Sequence, residues 1–430
     1  MAEIADRCTN TMARMLACLL GLAGPAICAP LMTDDARVAD FGVFVQDFTD
    51  NYAYLDRAEK PWLTWSTRYL PMVLAARAPE AYAAVIEAVL EEVHDFHAEV
   101  RSRNPHRWLP VPTFADIWAE LAGDETVVRA VRRGSDAERA GIVAGDRIIA
   151  VGELPVAAAI AARLTASVDN SDLRSRNWAL QSLLAGRADE QRHLTVRDRH
   201  GSVRRLTLPL ERRFDRAAGP LVSGQLPGGI GWIRFNNSIG EIATVAAFDQ
   251  ALEQLRAAPG LIIDLRDVPS GGDSSVALGI MGRLVKTMLP YQHHRIPNYG
   301  RPDIERNWFE YVAPRGPFVY RAPLVVLVDH WTGSMGEGMA IGLHAMKRAL
   351  VVGTPMAHLA GAVSDFTLPQ TGIDVAFATE QLYHVDGTSR QDWLPPILVA
   401  DSLLVSEAGD AVMARGVTEL TQLISRARAH

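Results

Sequence analysis

The stretch PLVVLVDHWTGSMGEG at residues 323–338 decides the fold of the C-terminal half of this chain. It opens with a continuous apolar run, which is typical of a strand buried on both faces of a parallel sheet. Ser334 follows between glycines, and a helix is predicted from there to residue 346. Main-chain amides at such a strand-to-helix turn can stabilise a developing anion. Ser334 is therefore a candidate nucleophile, with a simple helix cap as the alternative.

A second strand-and-loop segment, GLIIDLRDVPSGGDSSVA, occupies residues 260–277. Its apolar run predicts a buried strand, and the turn after it contains Gly271 and Gly272. Paired glycines let the main chain approach a substrate closely and direct amides into a cavity. The two charged residues that follow the strand are interpreted as structural supports of the loop: Asp264 and Arg266.

A third segment, VLEEVHDFHAEV at residues 89–100, places His97 at the end of a helical pattern. An unperturbed imidazole has a pKa of about 6.5, which suits proton transfer near neutral pH. His97 is the candidate general base, and a surface histidine at a helix end is the alternative. Two other histidines remain as further candidates: His94 and His358.

In this order, the three segments resemble the serine peptidase family that contains the C-terminal processing (tail-specific) proteases and the tricorn core protease. The landmarks are the DxH tripeptide, the strand–DLR–x–x–P–x–GG loop and the GSxGE turn. The resemblance covers nearly all of the chain after its N-terminal segment. It implies an N-terminal helical bundle, an inserted PDZ domain and a ClpP/crotonase-like α/β peptidase domain with a largely parallel sheet.

The choice of base separates two branches of that family. In the tail-specific branch a lysine follows the serine, just after a Val-Val-Gly strand end. Here that place falls at Leu359, beside His358, and no lysine lies downstream of Lys347. The sequence therefore favours the tricorn-like branch, in which the resemblance implies His97 as the base.

The resemblance also implies an acidic partner for the histidine and an oxyanion hole. The family's glutamate is missing from residues 386–396, so Asp392 is the preferred stand-in and Asp386 the second choice. Phe96 replaces the relay serine of that branch. The oxyanion donors would be two main-chain amides, that of Met335 and that of either Gly271 or Gly272.

Residues 110–210 contain the phrase GSDAERAGIVAGDRIIAVGELPV at residues 134–156, which resembles a PDZ domain of the bacterial protease type. A helix around residues 178–184 and a hairpin over residues 193–210 are predicted to follow. Such domains bind an extended peptide as an added strand, here expected beside Ile148 and Ile149. A structural spacer that shades the active site is the alternative.

Composition limits the classes of partner. The chain has 430 residues, 48% hydrophobic and 22% charged, with a net charge of −7, and it has no basic stripe. This argues against nucleic-acid and anionic-membrane partners and leaves polypeptides as the expected substrates. No phosphate-binding glycine loop or HExxH motif appears, and the adjacent His293 and His294 point to opposite faces of a regular element, so neither a cofactor nor a metal is predicted.

The N-terminus has the pattern of a secretory signal. Arg7 and Arg14 precede a short apolar stretch at residues 15–27, with cleavage expected near Cys28 or Ala29. An uncleaved anchor and a lipid anchor at Cys28 are alternatives. All three cysteines lie here, so the cleaved product would contain no disulfide. Export to the periplasm, the cell envelope or the medium is predicted, with no membrane span remaining after cleavage.

The predicted domains are a signal peptide at residues 1–29, a helical bundle at 34–104, a PDZ-like domain at 110–210 and an α/β serine peptidase domain at 228–430. In the last of these, strands are expected at 231–235, 261–265, 324–328 and 349–352, and helices at 242–257, 274–289, 335–346 and 411–428. The predicted function is that of a serine endopeptidase. A catalytically silent protein that binds peptides or apolar ligands on the same fold is the alternative.

Overall fold

The computed structural model describes residues 32–57, 60–101, 104–123, 125–164, 172–214, 217–400 and 409–429. The predicted signal peptide lies outside these ranges and stays a prediction. Within them, no helix is both long enough and apolar enough to cross a membrane.

The described chain begins with four helices and a short strand. The Thr33 hydroxyl caps the first helix by accepting a hydrogen bond from the Ala36 amide at 3.2 Å. A 3₁₀ turn at Glu91–Val93 ends the helical segment. The elements are α1 (Asp34–Asn51), α2 (Trp62–Arg68), α3 (Leu70–Ala75), α4 (Pro79–Leu90) and β1 (Glu99–Val100).

The next region is an antiparallel sheet with three helices, in the order β2-β3-β4-β6-β7 and with β5 beside β4. The predicted helix and hairpin of this region are confirmed as α7 and as the β6–β7 pair. The elements are β2 (Ile117–Ala122), β3 (Glu125–Val131), α5 (Asp136–Arg139), β4 (Arg147–Val151), β5 (Leu154–Pro155), α6 (Val156–Arg163), α7 (Leu173–Ala185), β6 (Arg192–Arg197) and β7 (Val203–Leu208).

The remaining described residues form two further sheets with four helices. The elements are β8 (Leu221–Gln225), β9 (Gly231–Phe235), α8 (Ala243–Gln254), β10 (Leu261–Asp264), α9 (Ser274–Met281), β11 (Leu289–Ile296), β12 (Arg306–Val312), β13 (Leu324–Val328), α10 (Met335–Ala345), β14 (Leu350–Gly353), β15 (Ala362–Thr367), β16 (Asp374–Tyr383), β17 (Ile397–Leu398) and α11 (Ala411–Ala429).

The first of these sheets positions the candidate site. Its order is β17-β14-β13-β10-β9-β8, and every neighbouring pair is parallel except β8 with β9. The predicted strands of this sheet are confirmed to within one residue at each end. Because β10 and β13 are parallel neighbours, the loops after them leave from the same edge of the sheet. The glycine turn and the serine turn therefore meet.

The second sheet is antiparallel, in the order β1-β16-β11-β12 with β15 beside β16, and the sequence did not predict it. The predicted helix over residues 274–289 was too long, because α9 ends at Met281 and β11 begins at Leu289. This sheet covers the N-terminal helices. Phe48 of α1 packs on Phe377 of β16 with ring centroids 5.1 Å apart, so one apolar core joins the N-terminal helices to this sheet.

Candidate active site

Ser334 lies between the end of β13 and the start of α10 in a backbone conformation that L-residues rarely adopt, with φ of +50°. Its amide donates a hydrogen bond to Oε2 of Glu337 at 2.8 Å, which helps to hold the turn. Glu337 thus caps the N-terminal end of α10. A strained serine at a strand-to-helix turn is a recurrent way of presenting a nucleophile.

Gly271 lies directly against this serine. A Cβ atom at position 271 would lie 2.8 Å from Oγ of Ser334 and 3.0 Å from the Met335 amide nitrogen. Gly271 has φ of +68°, and a side chain at Gly272 would overlap Ile239. Neither position has room for a side chain, so both glycines are needed for the loop to adopt this conformation.

The amides that could bind an oxyanion differ in availability. Met335 is the first helical residue of α10, a position whose amide has no acceptor within the helix. The Gly271 amide faces the Val268 carbonyl at 3.4 Å, at the outer limit of a hydrogen bond. The Met335 amide is the better placed donor, and the glycine donor stays a prediction.

Asp264 and Arg266 support the loop after β10, as predicted. Arg266 forms a two-bond ion pair with Asp264 at 2.9 and 2.8 Å. The same guanidinium donates two hydrogen bonds to Asp410, next to the start of α11, at 2.7 and 2.9 Å. The glycine turn is therefore tied to the C-terminal helix.

His97 lies between the 3₁₀ turn and β1, and its Nδ1 atom is 2.7 Å from the main-chain oxygen of Ala360. A carbonyl oxygen can only accept, so Nδ1 carries the proton and Nε2 of the neutral ring has the free lone pair. Burial, together with the charge of Arg390, lowers the pKa of His97 to about 4. At neutral pH the ring is therefore in the form that a general base requires.

The segment that carries His97 is itself held in place. Oδ1 of Asp95 accepts a hydrogen bond from the His97 amide at 3.0 Å. Oδ2 of Asp95 accepts one from the Tyr52 hydroxyl at 2.9 Å and lies 3.6 Å from Arg57. The buried aspartate of the Asp-Phe-His tripeptide thus orders the turn in which the histidine sits.

His97 and Ser334 are joined through residues 358–361, which we call the bridging segment. On one side the Ala360 carbonyl holds His97, and on the other the Leu359 amide donates to Oε2 of Glu337 at 3.3 Å. Within the described residues there is no hydrogen bond between His97 and Ser334 themselves. The structure brings the predicted base and nucleophile to the two sides of one segment.

The structure does not place Asp392 as the partner of His97, which corrects that expectation. Asp392 is exposed and accepts a hydrogen bond from Ser389. The histidine influenced by its charge is His358. The second choice, Asp386, pairs with His384 at 2.9 Å. In the 3₁₀ turn at Arg390–Asp392, the buried residue is Arg390 and the aspartate faces solvent.

Two groups that the sequence did not single out for this role are Arg390 and the Ala360 carbonyl. Arg390 is 3% exposed and donates hydrogen bonds to the carbonyls of Leu359 and Gly361. A main-chain carbonyl is present in every residue, so the sequence gives no sign of its role. An arginine close to an expected acidic residue is typical of a surface charge.

The region that resembles a PDZ domain packs against the serine loop. The Trp331 indole donates to the Ala115 carbonyl at 2.7 Å, and Trp118 stacks on His330 with centroids 4.9 Å apart. Arg132 forms an ion pair with Asp267 at 2.9 Å. Movement of this region would therefore shift the residues just before Ser334 and the loop after β10.

The same region also contacts the turn that carries His97. Nδ1 of His94 is 2.8 Å from the Ser175 hydroxyl in α7, and the His94 ring lies 4.5 Å from Trp178. The Phe96 ring also stacks on Trp178, with ring centroids 6.2 Å apart. His94 is therefore occupied in an interface with α7, which removes it as the candidate base.

The predicted peptide site at Ile148 and Ile149 needs correction. Both residues lie in β4, which pairs with β3 on one side and with β6 on the other. A peptide cannot add to a strand that is paired on both sides. The edge strands of this sheet are β2 and β7, and α7 packs alongside β2.

No group of three or more histidine, cysteine, aspartate or glutamate side chains that could hold a metal ion occurs among the described residues. His293 and His294 lie on opposite faces of β11. His294 bridges Glu380 at 2.7 Å and Glu310 at 3.0 Å, an arrangement of ion pairs within the antiparallel sheet.

Comparison with known proteins identifies the class of this site. Residues 229–396 match the model of peptidase family S41. This range contains the glycine turn, the serine turn and the bridging segment that meet at Ser334. Residues 229–396 thus belong to peptidase family S41, a family of serine-type peptidases.

Solved structures of similar fold span nearly the whole described chain. Mature CPAF complexed with lactacystin is 15% identical, with a TM-score of 0.57 over 91% of this chain and 99% of that one. The photosystem II D1 C-terminal processing protease is 18% identical, with a TM-score of 0.54 over 88% and 99%. A lipoprotein from Streptococcus agalactiae is 10% identical, with a TM-score of 0.50 over 91% and 97%. At these identities the likeness shows the fold.

Proposed function

We propose that this S41 peptidase is an exported serine endopeptidase that cleaves unfolded or C-terminal polypeptide segments through an acyl-enzyme. The observation that carries the proposal is the packing of Gly271 against Oγ of Ser334, at the start of α10. It places a strained serine hydroxyl beside main-chain amides, which is the arrangement that stabilises a tetrahedral oxyanion.

The proposed reaction uses His97 as the proton carrier. Nε2 of His97 takes the hydroxyl proton as Oγ of Ser334 bonds to the peptide carbonyl carbon. The Met335 amide, with Gly271 or Gly272, holds the oxyanion. The C–N bond then breaks and His97 returns the proton to the leaving amine. Water attacks the ester with the same base, which releases the acid and restores the serine.

His97 and Ser334 must come closer for this reaction than they lie here. Catalytic hydrogen bonds are often long in a free enzyme and shorten when substrate binds. The base comes from the N-terminal segment and the nucleophile from the C-terminal region, so closure between them would complete the site. The contacts of Trp331 with Ala115 and of His94 with Ser175 make the PDZ-like region the element best placed to affect that closure.

The PDZ-like region is proposed to bind the extended end of a substrate at β2. In the present state the edge of β2 is covered, because the Gln181 side chain of α7 donates to the Ala119 carbonyl at 2.6 Å. Oε1 of Gln181 is buried without a partner among the described residues, so this contact is only half satisfied. A peptide strand that displaced Gln181 would satisfy the same carbonyl with its own amide.

Export is proposed from the N-terminal sequence, with a mature N-terminus near residue 29 or 30. N-terminal sequencing of the protein recovered from its native host tests this. Recovery of the full-length chain from the cytosol would contradict it.

A catalytically silent peptide- or apolar-ligand-binding protein is the second candidate. The observations in its favour are the missing hydrogen bond between His97 and Ser334 and the solvent-facing position of Asp392. It would keep the fold without acyl transfer.

Labelling with a fluorophosphonate probe separates the two candidates. The parent protein should be labelled and should cleave an unfolded polypeptide, whereas Ser334→Ala should do neither and should show the same circular dichroism spectrum. An unlabelled parent would favour the silent protein, and cleavage by purified Ser334→Ala would remove this serine as the nucleophile.

A further inference from the structure

Two buried side chains, Glu337 and Arg390, hold the bridging segment through hydrogen bonds from opposite sides. From the serine side, Oε2 of Glu337 accepts hydrogen bonds from the amides of Ser334 and Leu359 at 2.8 and 3.3 Å. From the other side, Arg390 donates to main-chain carbonyls of the segment. The conformation of these few residues therefore depends on two side chains outside it.

The hydrogen bonds of Arg390 flank the atom that orients His97. Its Nε and Nη2 atoms donate to the Leu359 carbonyl at 3.1 and 3.0 Å, and Nη2 also donates to the Gly361 carbonyl at 2.6 Å. Ala360 lies between the two. Fixing the peptide units on both sides of Ala360 fixes the direction of its carbonyl, which accepts the Nδ1 proton of His97.

The guanidinium of Arg390 is held by main-chain carbonyls. In the part of the chain that the structure describes, it forms no ion pair with a carboxylate, although its side chain is buried. Burying a charge without a paired countercharge is costly. The other carboxylate oxygen of Glu337, Oε1, is buried without a hydrogen-bond partner among the described residues. Burial raises the pKa of Glu337, and the positive charge of Arg390 opposes that rise.

We propose that Arg390 is a positioning residue of the peptidase, which holds the Ala360 carbonyl in the place of the missing acidic partner so that this carbonyl orients His97. The inference rests on the proposed roles of Ser334 and His97. It extends them in two ways. The Ala360 carbonyl orients His97, and the buried guanidinium of Arg390 fixes the direction of that carbonyl.

The charge of Arg390 affects the pKa of His97, which an uncharged side chain with the same packing would not do. Burial is the largest cause of the lowered pKa of His97, and Arg390 is the next. The other charged groups that face the ring are Asp95, which raises the pKa, and Arg101, which lowers it. Acylation requires neutral His97, so its rate falls on the acid side of this pKa. We call this fall in rate the acid limb of the pH profile. Removing the charge of Arg390 should raise the pKa of His97 and so move the acid limb to higher pH.

The test is the rate at which a fluorophosphonate probe labels Ser334, measured against pH, in Arg390→Met, Arg390→Lys and a control. The control is Arg348→Met, because Arg348 also donates to main-chain carbonyls, those of Leu284, Tyr320 and Ala322. Arg390→Met should lower the plateau rate by about 10- to 100-fold and shift the acid limb upward. Arg390→Lys should keep the parental acid limb with a smaller loss of rate, and Arg348→Met should leave both unchanged.

If folded Arg390→Met has the same plateau rate and the same acid limb as the parent, the inference is wrong. If Arg390→Met does not fold, Arg390→Lys decides, because a parental plateau rate in that variant shows that the forked hydrogen bonds do not matter. Failure of the proposed function looks different: His97→Ala would then be labelled as fast as the parent. Loss of labelling in His97→Ala with no effect at Arg390 would reject the positioning role alone.

Discussion

The Nδ1 atom of His97 lies 2.7 Å from the main-chain oxygen of Ala360, in the place where serine peptidases with a triad have a carboxylate. A carbonyl can fix the tautomer and the direction of the imidazole as a carboxylate does. It brings only a partial charge, so it stabilises the imidazolium less. We infer that orientation, more than charge, is the contribution of the third group here.

Replacing the base tests its assignment. His97→Ala should lower the rate of Ser334 acylation by several orders of magnitude, because in the proposed mechanism Nε2 of His97 takes the hydroxyl proton. Lys347→Ala is the control, since this exposed lysine at the end of α10 should change the rate by no more than about threefold. The measurement is the labelling rate of both variants with one probe. Equal losses would argue against the histidine branch.

Asp392→Asn should have little effect on catalysis. The side chain is exposed and bonded to Ser389, and its charge acts on His358. We expect kcat/KM for an unfolded polypeptide to stay within about threefold of the parent. Asp386→Asn provides the comparison, because that residue was the other sequence-based candidate. A loss of several orders of magnitude in Asp392→Asn would restore it as the acidic partner.

Glu337→Gln should change how stability depends on pH. Burial raises the pKa of Glu337 from 4.5 to about 7. The folded protein then binds more protons than the unfolded chain between these values, so the contribution of this group is fully present below pH 4.5 and is lost as pH rises through about 7. The glutamine can still accept the amide bonds but cannot titrate.

The measurement for this variant is thermal unfolding of the parent and of Glu337→Gln across that pH window. The Tm of the parent should fall relative to the variant as pH rises, while His97 and other shared groups cancel in the difference. Exposed Glu241→Gln should follow the parent. Parallel curves for Glu337→Gln and the parent would contradict a raised pKa.

Gln181→Ala should open the edge of β2. Its removal frees the Ala119 carbonyl, so a peptide with a free C-terminus should bind several-fold more tightly, as one hydrogen bond is worth about 1 kcal/mol. Titration with a fluorescent peptide measures this, with exposed Gln46→Ala in α1 as the control. Unchanged affinity in Gln181→Ala would argue that β2 is not where peptides add.

The sequence was sufficient for the elements whose signals are local. The apolar runs that became β9, β10, β13 and β14 predicted buried parallel strands, because a strand covered on both faces has no polar alternation. The glycine-flanked Ser334 marked the start of α10, since few residues tolerate that backbone turn. The order of two neighbouring parallel strands then required their loops to meet.

Predictions that depended on distant pairing were less successful. Residues 282–289 are apolar enough to extend a helix, yet β11 starts at Leu289 because β12 and β16 pair with it from both sides. Ile148 and Ile149 fit a peptide-binding strand until β3 and β6 are seen to occupy both of its edges.

The sequence by itself determined the serine turn and the glycine loop facing it, because each depends on backbone conformations and strand patterns encoded within a few residues. Its resemblance to a known family gave the peptidase class. The tertiary structure decided how His97 is oriented. A short turn places Arg390 inside and Asp392 in solvent, and the Ala360 carbonyl reaches His97 across 263 positions of chain. Which side chain of a turn faces the core depends on the packing around it, and a main-chain carbonyl is the same in every residue.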